Sequence, residues 1–192
     1  MTELTLGSAS PRRAELLAHF GLAFDVCAAD IDETPLVGEE ARCYVNRMAR
    51  QKGEALLGTC SGAILTADTI VVRDGEILGK PRDSSEASRM LESLSDRYHD
   101  VYTAVSVERS GDRNNALVHT RVKFMRLESD LIESYLATSE PWDKAGAYGI
   151  QGIAGGFVER IEGSVSNVIG LPLVETRSLL LAAGLRPGLA AP

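Results

Sequence analysis

One acidic residue lies inside an otherwise apolar run of the chain. Asp68 interrupts the segment from Ile64 to Val72, whose other members are aliphatic residues, alanine and threonine. A carboxylate in such a run carries a desolvation cost unless it meets a metal ion, a cation or a hydrogen-bond donor. A general base that activates water, or a carboxylate that holds a metal ion, would account for Asp68. An acid at a strand end that is satisfied by backbone amides is the alternative.

A pair of arginines stands where a helix is expected to begin. Ser10 suits the N-cap and Pro11 the first helical position, so Arg12 and Arg13 would occupy the first turn. Cations there oppose the helix dipole by roughly 0.3 to 1 kcal/mol each, and a bound anion would compensate for that cost. In the alternative interpretation both arginines point into solvent or pair with Glu15.

Three further charged residues are candidates for a site that binds phosphates. Glu33 lies in an acidic loop and could be a second carboxylate for magnesium, which usually takes one or two acids together with phosphates and waters. Lys52 falls on the apolar face of a predicted helix, where snorkelling would explain it equally well. Lys80 stands between Gly79 and Pro81, which predict a rigid turn. A solvated acidic loop is the alternative for Glu33.

A glycine-rich segment from 143 to 152 ends in a residue that could read a base. Gln151 carries both a donor and an acceptor, and the glycines allow close approach of the backbone to a ligand. Composition alone is equally compatible with a plain loop.

The composition narrows the class of protein. The chain has 192 residues, 44% of them hydrophobic, and a net charge of -7, which indicates a folded protein and disfavours binding to extended nucleic acid. No apolar run reaches the length of a membrane span, and we expect a cytoplasmic protein without a membrane partner. Its three cysteines lack C-x-x-C spacing and its three histidines are scattered, so no zinc site is indicated. Walker and Rossmann motifs are absent from the sequence.

The candidate residues are held by helices and strands whose patterns alternate along the sequence. These patterns predict a mixed α/β fold in which 1–192 form one domain. Strands are expected at 4–6, 64–72 and 77–78, and an antiparallel pair at 101–107 and 118–124 with a polar loop at 110–115. Helices are expected at 11–20, 39–56, 130–137 and 173–183 and after Ser84, with a loop at 146–156.

Several separate motifs occur together in a fixed order, and this order resembles that of the Maf family of nucleotide pyrophosphatases. The motifs are Ser8-x-Ser-Pro-Arg-Arg13, Ala67-Asp-Thr69, Gly79-Lys-Pro81, Asp143-Lys-Ala-Gly-Ala-Tyr-Gly-Ile-Gln151-Gly and Gly170-Leu-Pro-Leu173. The resemblance covers nearly the whole chain. It implies a fold similar to the inosine triphosphate pyrophosphatases, with two lobes around a long mixed sheet and a central cleft. It also implies hydrolysis of nucleoside triphosphates between the α and β phosphates.

The resemblance also assigns roles to residues. It implies that Asp68 is the catalytic base, that Arg12, Thr69 and Gln151 set substrate specificity, and that a phosphate and metal pocket is formed by Ser8, Arg13, Glu33, Lys52 and Lys80. Magnesium or manganese would be held by Glu33 and Asp68. A homodimer is plausible by the same resemblance.

The segment 146–151 resembles the branch of this family that acts on dTTP and UTP rather than on 7-methyl-GTP. A house-cleaning enzyme for these or for modified pyrimidine nucleotides is therefore expected. The alternative is a nucleotide-sensing regulator of cell division or septum formation that binds without turnover. Val165 departs from the family, which often has tyrosine there, so an aromatic contact from this position is not expected.

Overall fold

Strands and helices alternate along the chain in the computed structural model, which describes residues 2–188. Met1 and 189–192, the ends of the predicted 1–192 domain, lie outside the described residues. The strands are β1 (Leu4–Leu6), β2 (Asp25–Val26), β3 (Ala63–Arg73), β4 (Glu76–Leu78), β5 (Tyr98–Arg109), β6 (Asp112–Phe124) and β7 (Val158–Glu162). The α-helices are α1 (Pro11–Ala18), α2 (Ala41–Leu56), α3 (Ser84–Leu94), α4 (Ser129–Leu136), α5 (Val165–Ile169) and α6 (Leu173–Ala182).

The strands form one mixed sheet. Its order is β2-β1-β3-β5-β6-β7, and β4 pairs with β3 away from this path. β1 runs parallel to both β2 and β3, whereas β4 is antiparallel to β3 and β7 is antiparallel to β6. The predicted mixed α/β class is confirmed by this sheet together with the helices that alternate with its strands.

The described residues divide into two compact units. The first unit consists of residues 2–68, 103–118 and 170–188, and the second of residues 69–102 and 119–169. Strands β3, β5 and β6 each contribute residues to both units. The first unit buries aliphatic side chains from β1, α1, α2 and the start of β3, among them Leu6, Leu17, Met48 and Leu65. The second has its own core, in which α3 and α4 pack with the aromatic residues Phe124, Tyr135, Tyr148 and Phe157.

In the first unit, Gly7 lets the chain leave β1 in close contact with β3. Its N–H donates to the carbonyl of Leu65 at 2.7 Å. A Cβ at this position would lie 2.5 Å from Cγ2 of Thr66 and 2.8 Å from Cδ1 of Leu56. Only glycine therefore fits here without displacement of its neighbours, and the loop that leads into α1 begins against the sheet.

Some element predictions were wrong in detail. The loop expected at 110–115 is a two-residue turn at Ser110 and Gly111, and β6 already begins at Asp112. Both turn residues have positive φ, 54° and 89°, as in the tight hairpin turns whose twist matches the paired strands. The polar residues after the turn belong to the ladder, because a strand with one open face accepts them.

The segment predicted as a loop at 146–156 overlaps two short 3-10 helices, Ala145–Ala147 and Ile153–Phe157, and a third, Pro141–Asp143, precedes it. The sequence patterns did not predict β2, β7 or α5, all of which are five residues or shorter. Among residues 2–188, no helix is both long enough and apolar enough to cross a membrane.

Candidate active site

Asp68 is a buried acid of the first unit, and a lysine reaches it from a neighbouring helix. The residue lies on β3 and is 8% exposed. Nζ of Lys52, on α2, lies 2.6 Å from its Oδ1, and the lysine side chain is only 11% exposed. Lys52 thus holds its charge inside the protein against a carboxylate rather than extending into solvent, so the snorkelling alternative does not describe it.

A buried hydroxyl fixes α2 against β3. Oγ1 of Thr66 donates to the carbonyl of Ala49 at 2.6 Å. Thr66 and Asp68 are two residues apart on the strand, and Ala49 and Lys52 are three apart on the helix, so each pair shares one face of its element. The same packing that satisfies Thr66 therefore brings Lys52 to Asp68.

The surroundings of Asp68 favour its neutral form. Burial raises the pKa of its carboxyl above the ordinary value, and the positive charges of Lys52 and Arg13 offset only part of that effect. The carboxyl consequently takes up a proton more readily than an exposed aspartate does. This is the property expected of a carboxylate that accepts a proton from water.

Arg13 turns back onto the loop that precedes its own helix. Ser10 caps α1, and its Oγ accepts from the Arg13 N–H at 3.4 Å. In the side chain, Nη1 donates to Oγ of Ser8 at 3.1 Å and Nε donates to the carbonyl of Gly170 at 2.9 Å. The predicted N-cap is confirmed, and the alternative in which Arg13 points into solvent or pairs with Glu15 is not what the structure shows.

Positive charge is concentrated at the start of α1. Burial lowers the pKa of Arg13, Asp68 opposes that effect, and the neighbouring charge of Arg12 adds to it. Two guanidinium groups thus lie close enough to interact in a chain whose net charge is -7. An anion bound beside them would relieve their repulsion, and the anion site expected at this helix start stays a prediction.

Glu33 completes the cluster in the first unit. Its side chain is 54% exposed, and its Oε1 lies 2.8 Å from Nζ of Lys52. Tyr44 fixes this part of the loop, because its hydroxyl donates to the backbone carbonyl of Glu33 at 2.8 Å. Burial and the nearby charges of Asp68 and Glu33 raise the pKa of Tyr44 to about 12, so the phenol remains a donor at neutral pH.

Tyr44 was not predicted as a site residue. The available signal was its spacing, because Tyr44, Met48 and Lys52 follow one another at intervals of four and therefore share a stripe of α2. The carbonyl of Gly170 was also missed. Gly170 has a φ of 122°, a conformation that favours glycine and that aims this carbonyl at Arg13.

The donor set suits a cation that is also bound by phosphates. Glu33 and Asp68 contact the same ammonium, so their oxygens lie close enough together to share one positive charge. Within residues 2–188, no group of three or more His, Cys, Asp and Glu residues could hold a metal ion without other ligands. The carboxylates of Glu33 and Asp68 nevertheless suit Mg²⁺, which is commonly bound by one or two carboxylates while phosphates and waters supply the remaining oxygens.

The other predicted site residues belong to the second unit. Thr69 follows Asp68 directly on β3, and Lys80 is exposed in the turn after β4. That turn is tied to the glycine-rich segment, because the N–H of Gly146 donates to the carbonyl of Gly79 at 3.0 Å. Gln151 is exposed just before the 3-10 helix Ile153–Phe157.

The structure therefore groups the predicted residues into two sets. The first unit brings together the candidate base and most of the candidate charged ligands, namely Ser8, Arg12, Arg13, Glu33, Lys52 and Asp68. The second unit holds Thr69, Lys80 and Gln151.

Known proteins are similar to this chain along most of its length. A family model described as Maf-like protein matches residues 3–183. A dTTP/UTP pyrophosphatase of Shewanella sp. (strain MR-7) is 53% identical over 192 residues, covering 95% of this chain and 99% of the relative. Another, from Anaeromyxobacter dehalogenans (strain 2CP-1 / ATCC BAA-258), is 54% identical over 185 residues and 94% of each chain. The solved Staphylococcus aureus Ham1 protein aligns with 63% of this chain and 71% of its own, with 13% identity and a TM-score of 0.46.

Proposed function

Because the chain belongs to the family of Maf-like proteins, we propose that it hydrolyses dTTP and UTP to the nucleoside monophosphate and pyrophosphate. Relatives that are 53% and 54% identical over 94% or more of this chain carry the name of this activity. The observation that carries the proposal is the contact of Lys52 with Asp68, which places a buried carboxylate of raised pKa beside cations that suit a triphosphate.

Asp68 is the proton acceptor in this proposal. A water molecule that attacks the α phosphorus must lose a proton, and a carboxyl whose pKa is raised by burial takes up that proton more readily than an ordinary aspartate. Lys52 holds the carboxylate in a single position at 2.6 Å. Asp68 is thereby oriented as well as basic.

The cations of the cluster stabilise the pyrophosphate leaving group. Pyrophosphate develops negative charge as the bond to the α phosphorus breaks, and fixed positive groups that stabilise this charge are the main source of acceleration in phosphoryl transfer. We assign this role to Arg12, Arg13 and Lys52 of the cluster, and the resemblance adds Lys80 of the second unit. Since Ser8 Oγ accepts from both Arg13 and the N–H of Ser10, its own hydrogen can be donated to a phosphate oxygen.

The carboxylates of Glu33 and Asp68 are the proposed protein ligands of a divalent metal. Bound there together with substrate phosphates, Mg²⁺ or Mn²⁺ would supply charge neutralisation and Lewis acidity. Glu33 is the more exposed of the two and is fixed through its backbone by Tyr44. Asp68 is the buried ligand and would carry the base function as well.

Specificity for the base is assigned to Arg12, Thr69 and Gln151. The carboxamide of Gln151 can donate to one polar atom on the edge of a base and accept from the next. Thr69 follows the catalytic carboxylate directly on β3, so its side chain points to the opposite face of the strand. A homodimer and a cytoplasmic location remain part of this proposal.

The proposal is tested by measuring pyrophosphate release with magnesium from dTTP, UTP, CTP, GTP, ATP, 7-methyl-GTP and 5-methyl-UTP. We expect release from dTTP and UTP, its loss in Asp68→Asn, and its retention in Asp112→Asn, which makes the same change at an exposed position. Preference for 7-methyl-GTP would overturn the assigned substrates. Nucleotide binding without any release would favour a sensing protein instead.

A further inference from the structure

The carboxylate of Glu140 collects three hydrogen-bond donors in the second unit. Its Oε2 accepts from the N–H of Ile153 at 2.7 Å, and its Oε1 accepts from the N–H of Ala154 at 3.0 Å and from the hydroxyl of Tyr135 at 3.1 Å. Ile153 and Ala154 begin a 3-10 helix, whose first N–H groups have no partner within the helix. One side chain therefore ties the start of this helix to α4.

The carboxylate of Glu140 is held in its ionised form. Burial alone would raise the pKa of its carboxyl, but hydrogen bonds from the backbone of Ala154 and Ile153, followed by that from Tyr135, outweigh burial and lower the pKa. Hydrogen bonds to a charged acceptor are about twice as strong as those between neutral groups. The attachment of the loop to Glu140 is correspondingly firm.

The loop backbone also lies in direct contact with this side chain. A Cβ on Gly152 would lie 2.1 Å from Oε2 of Glu140 and 2.5 Å from its Cδ. A Cβ on Gly149 would lie 2.7 Å from Cε of Lys144, whose ammonium donates to the backbone carbonyl of Glu140 at 2.6 Å. The glycines on both sides of Gln151 are thus explained by the packing of the loop around Glu140 and Lys144.

A second attachment lies before Gln151. The hydroxyl of Tyr148 is hydrogen-bonded to Nε2 of His99 at 2.8 Å, and both rings pack edge-on against Phe124. Gln151 is exposed, yet the backbone is fixed three residues before it at Tyr148 and two residues after it at Ile153. The backbone position from which the side chain of Gln151 extends is therefore fixed.

We propose that Glu140 is a positioning residue that sets the preference for pyrimidine over purine nucleotides by fixing the backbone from which Gln151 extends. The inference rests on the proposed function, in which Gln151 contacts the base. A carboxamide can rotate by 180° and pair with the donor and acceptor edge of a purine as well as of a pyrimidine. Its chemistry alone therefore does not select the smaller base, whereas the position at which the loop holds it does.

The test is the variant Glu140→Gln, which replaces one of the two accepting oxygens by an NH₂ group that faces a backbone N–H. We expect KM for dTTP to rise with little change in kcat, and the ratio of kcat/KM for dTTP over dATP to fall by roughly tenfold. Amide hydrogen exchange at Ile153 and Ala154 should become faster. The matched control is Glu162→Gln on β7, whose carboxylate accepts from the side chains of Tyr98 and Arg121.

A double-mutant cycle separates positioning from general stability. In a Gln151→Ala background, Glu140→Gln should change the dTTP over dATP ratio by less than twofold, because the group that it positions is gone. An unchanged ratio in the single variant despite faster exchange would overturn the inference, and so would a full tenfold effect in the Gln151→Ala background.

Failure of the proposed function gives a different result. If the wild type releases no pyrophosphate, the same comparison is made by calorimetry of dTTP and dATP binding to the wild type, Glu140→Gln and Glu162→Gln. If only Glu140→Gln loses the preference for dTTP, the inference holds although the protein is not a hydrolase. Equal binding preferences in all three would overturn the inference as well.

Discussion

Lys52 and Asp68 lie 16 residues apart in sequence, and their charged groups meet at 2.6 Å between α2 and β3. The lysine lowers the pKa of a carboxyl that burial raises, so it acts on the proton affinity of Asp68 as well as on its position. Lys52 also contacts Glu33, so the cluster contains two carboxylates around one ammonium group.

Removal of the Lys52 charge should shift the pH dependence of the reaction. In Lys52→Met the pKa of Asp68 rises further, because the largest opposing charge is lost, and the acidic limb of the kcat/KM profile moves to higher pH. The measurement is the pH profile for dTTP. The control is Lys123→Met, which removes a lysine that pairs with Asp96 in the second unit. Its acidic limb should stay at the pH of the wild type. A shift of the Lys52→Met limb to lower pH would contradict the prediction.

Asp68→Asn should be more stable than the wild type at pH 7 in the absence of divalent metal. The folded-state pKa of Asp68 is raised above its unfolded value, so the ionised carboxylate disfavours the folded state at every pH above the folded pKa. That cost declines as the pH falls through the folded pKa and is absent below the unfolded value. Thermal unfolding of both proteins at pH 7 and at pH 3 tests the sign, and a lower Tm of the variant at pH 7 would refute it.

Arg13→Lys should weaken substrate binding although the charge is kept. The guanidinium reaches Ser8 and Gly170 with two different nitrogens, and a single ammonium cannot reproduce that fork. We expect kcat/KM for dTTP to fall by roughly 10- to 100-fold, mainly through KM, which corresponds to about 1.4 to 2.7 kcal/mol. Arg42→Lys, at an exposed position in the first turn of α2, is the control, and equal losses in both variants would count against the assigned role.

Gly7→Ala should destabilise the first unit by overpacking. The added methyl would overlap Cγ2 of Thr66 and Cδ1 of Leu56, and such overlaps cost about 1 to 3 kcal/mol. Urea unfolding measures the loss. Thr66→Ser removes the methyl at 2.5 Å and keeps the hydroxyl that bonds Ala49, so the double variant should recover part of the stability.

The specificity of the Gly7 effect has its own control. Gly156→Ala introduces the same methyl at a position with no other heavy atom within 4 Å of the new Cβ. Its free energy of unfolding should stay within about 0.5 kcal/mol of the wild type. A loss as large as that of Gly7→Ala would show that overpacking is not the cause.

Local chemistry made part of the site predictable. Ser10 and Pro11 define the start of α1, because an N-cap and a first-turn proline act within a few residues. Asp68 was predicted because a carboxylate in a strand of aliphatic residues demands a partner. The sequence could also place Lys52 on the apolar face of α2, since helical periodicity decides which residues share a stripe.

The remaining contacts depend on distant parts of the chain. Arg13 donates to the carbonyl of Gly170, 157 residues away. No local sequence pattern indicates which backbone carbonyl will accept this hydrogen bond. The hydroxyl of Tyr44 finds the carbonyl of Glu33 only after the loop has folded over α2. The turn at Ser110 was misjudged because the polar residues after it, which usually indicate a loop, lie on the ladder of β6.

The division of the chain has a consequence for synthesis on the ribosome. The first unit needs residues 103–118 and 170–188 as well as the amino-terminal segment, and Arg13 needs the carbonyl of Gly170. A nascent chain therefore lacks part of that unit until α6 has left the exit tunnel. We conclude that the first unit cannot finish folding until α6 has been synthesised, and that a fragment of residues 2–68 alone would contain no complete unit.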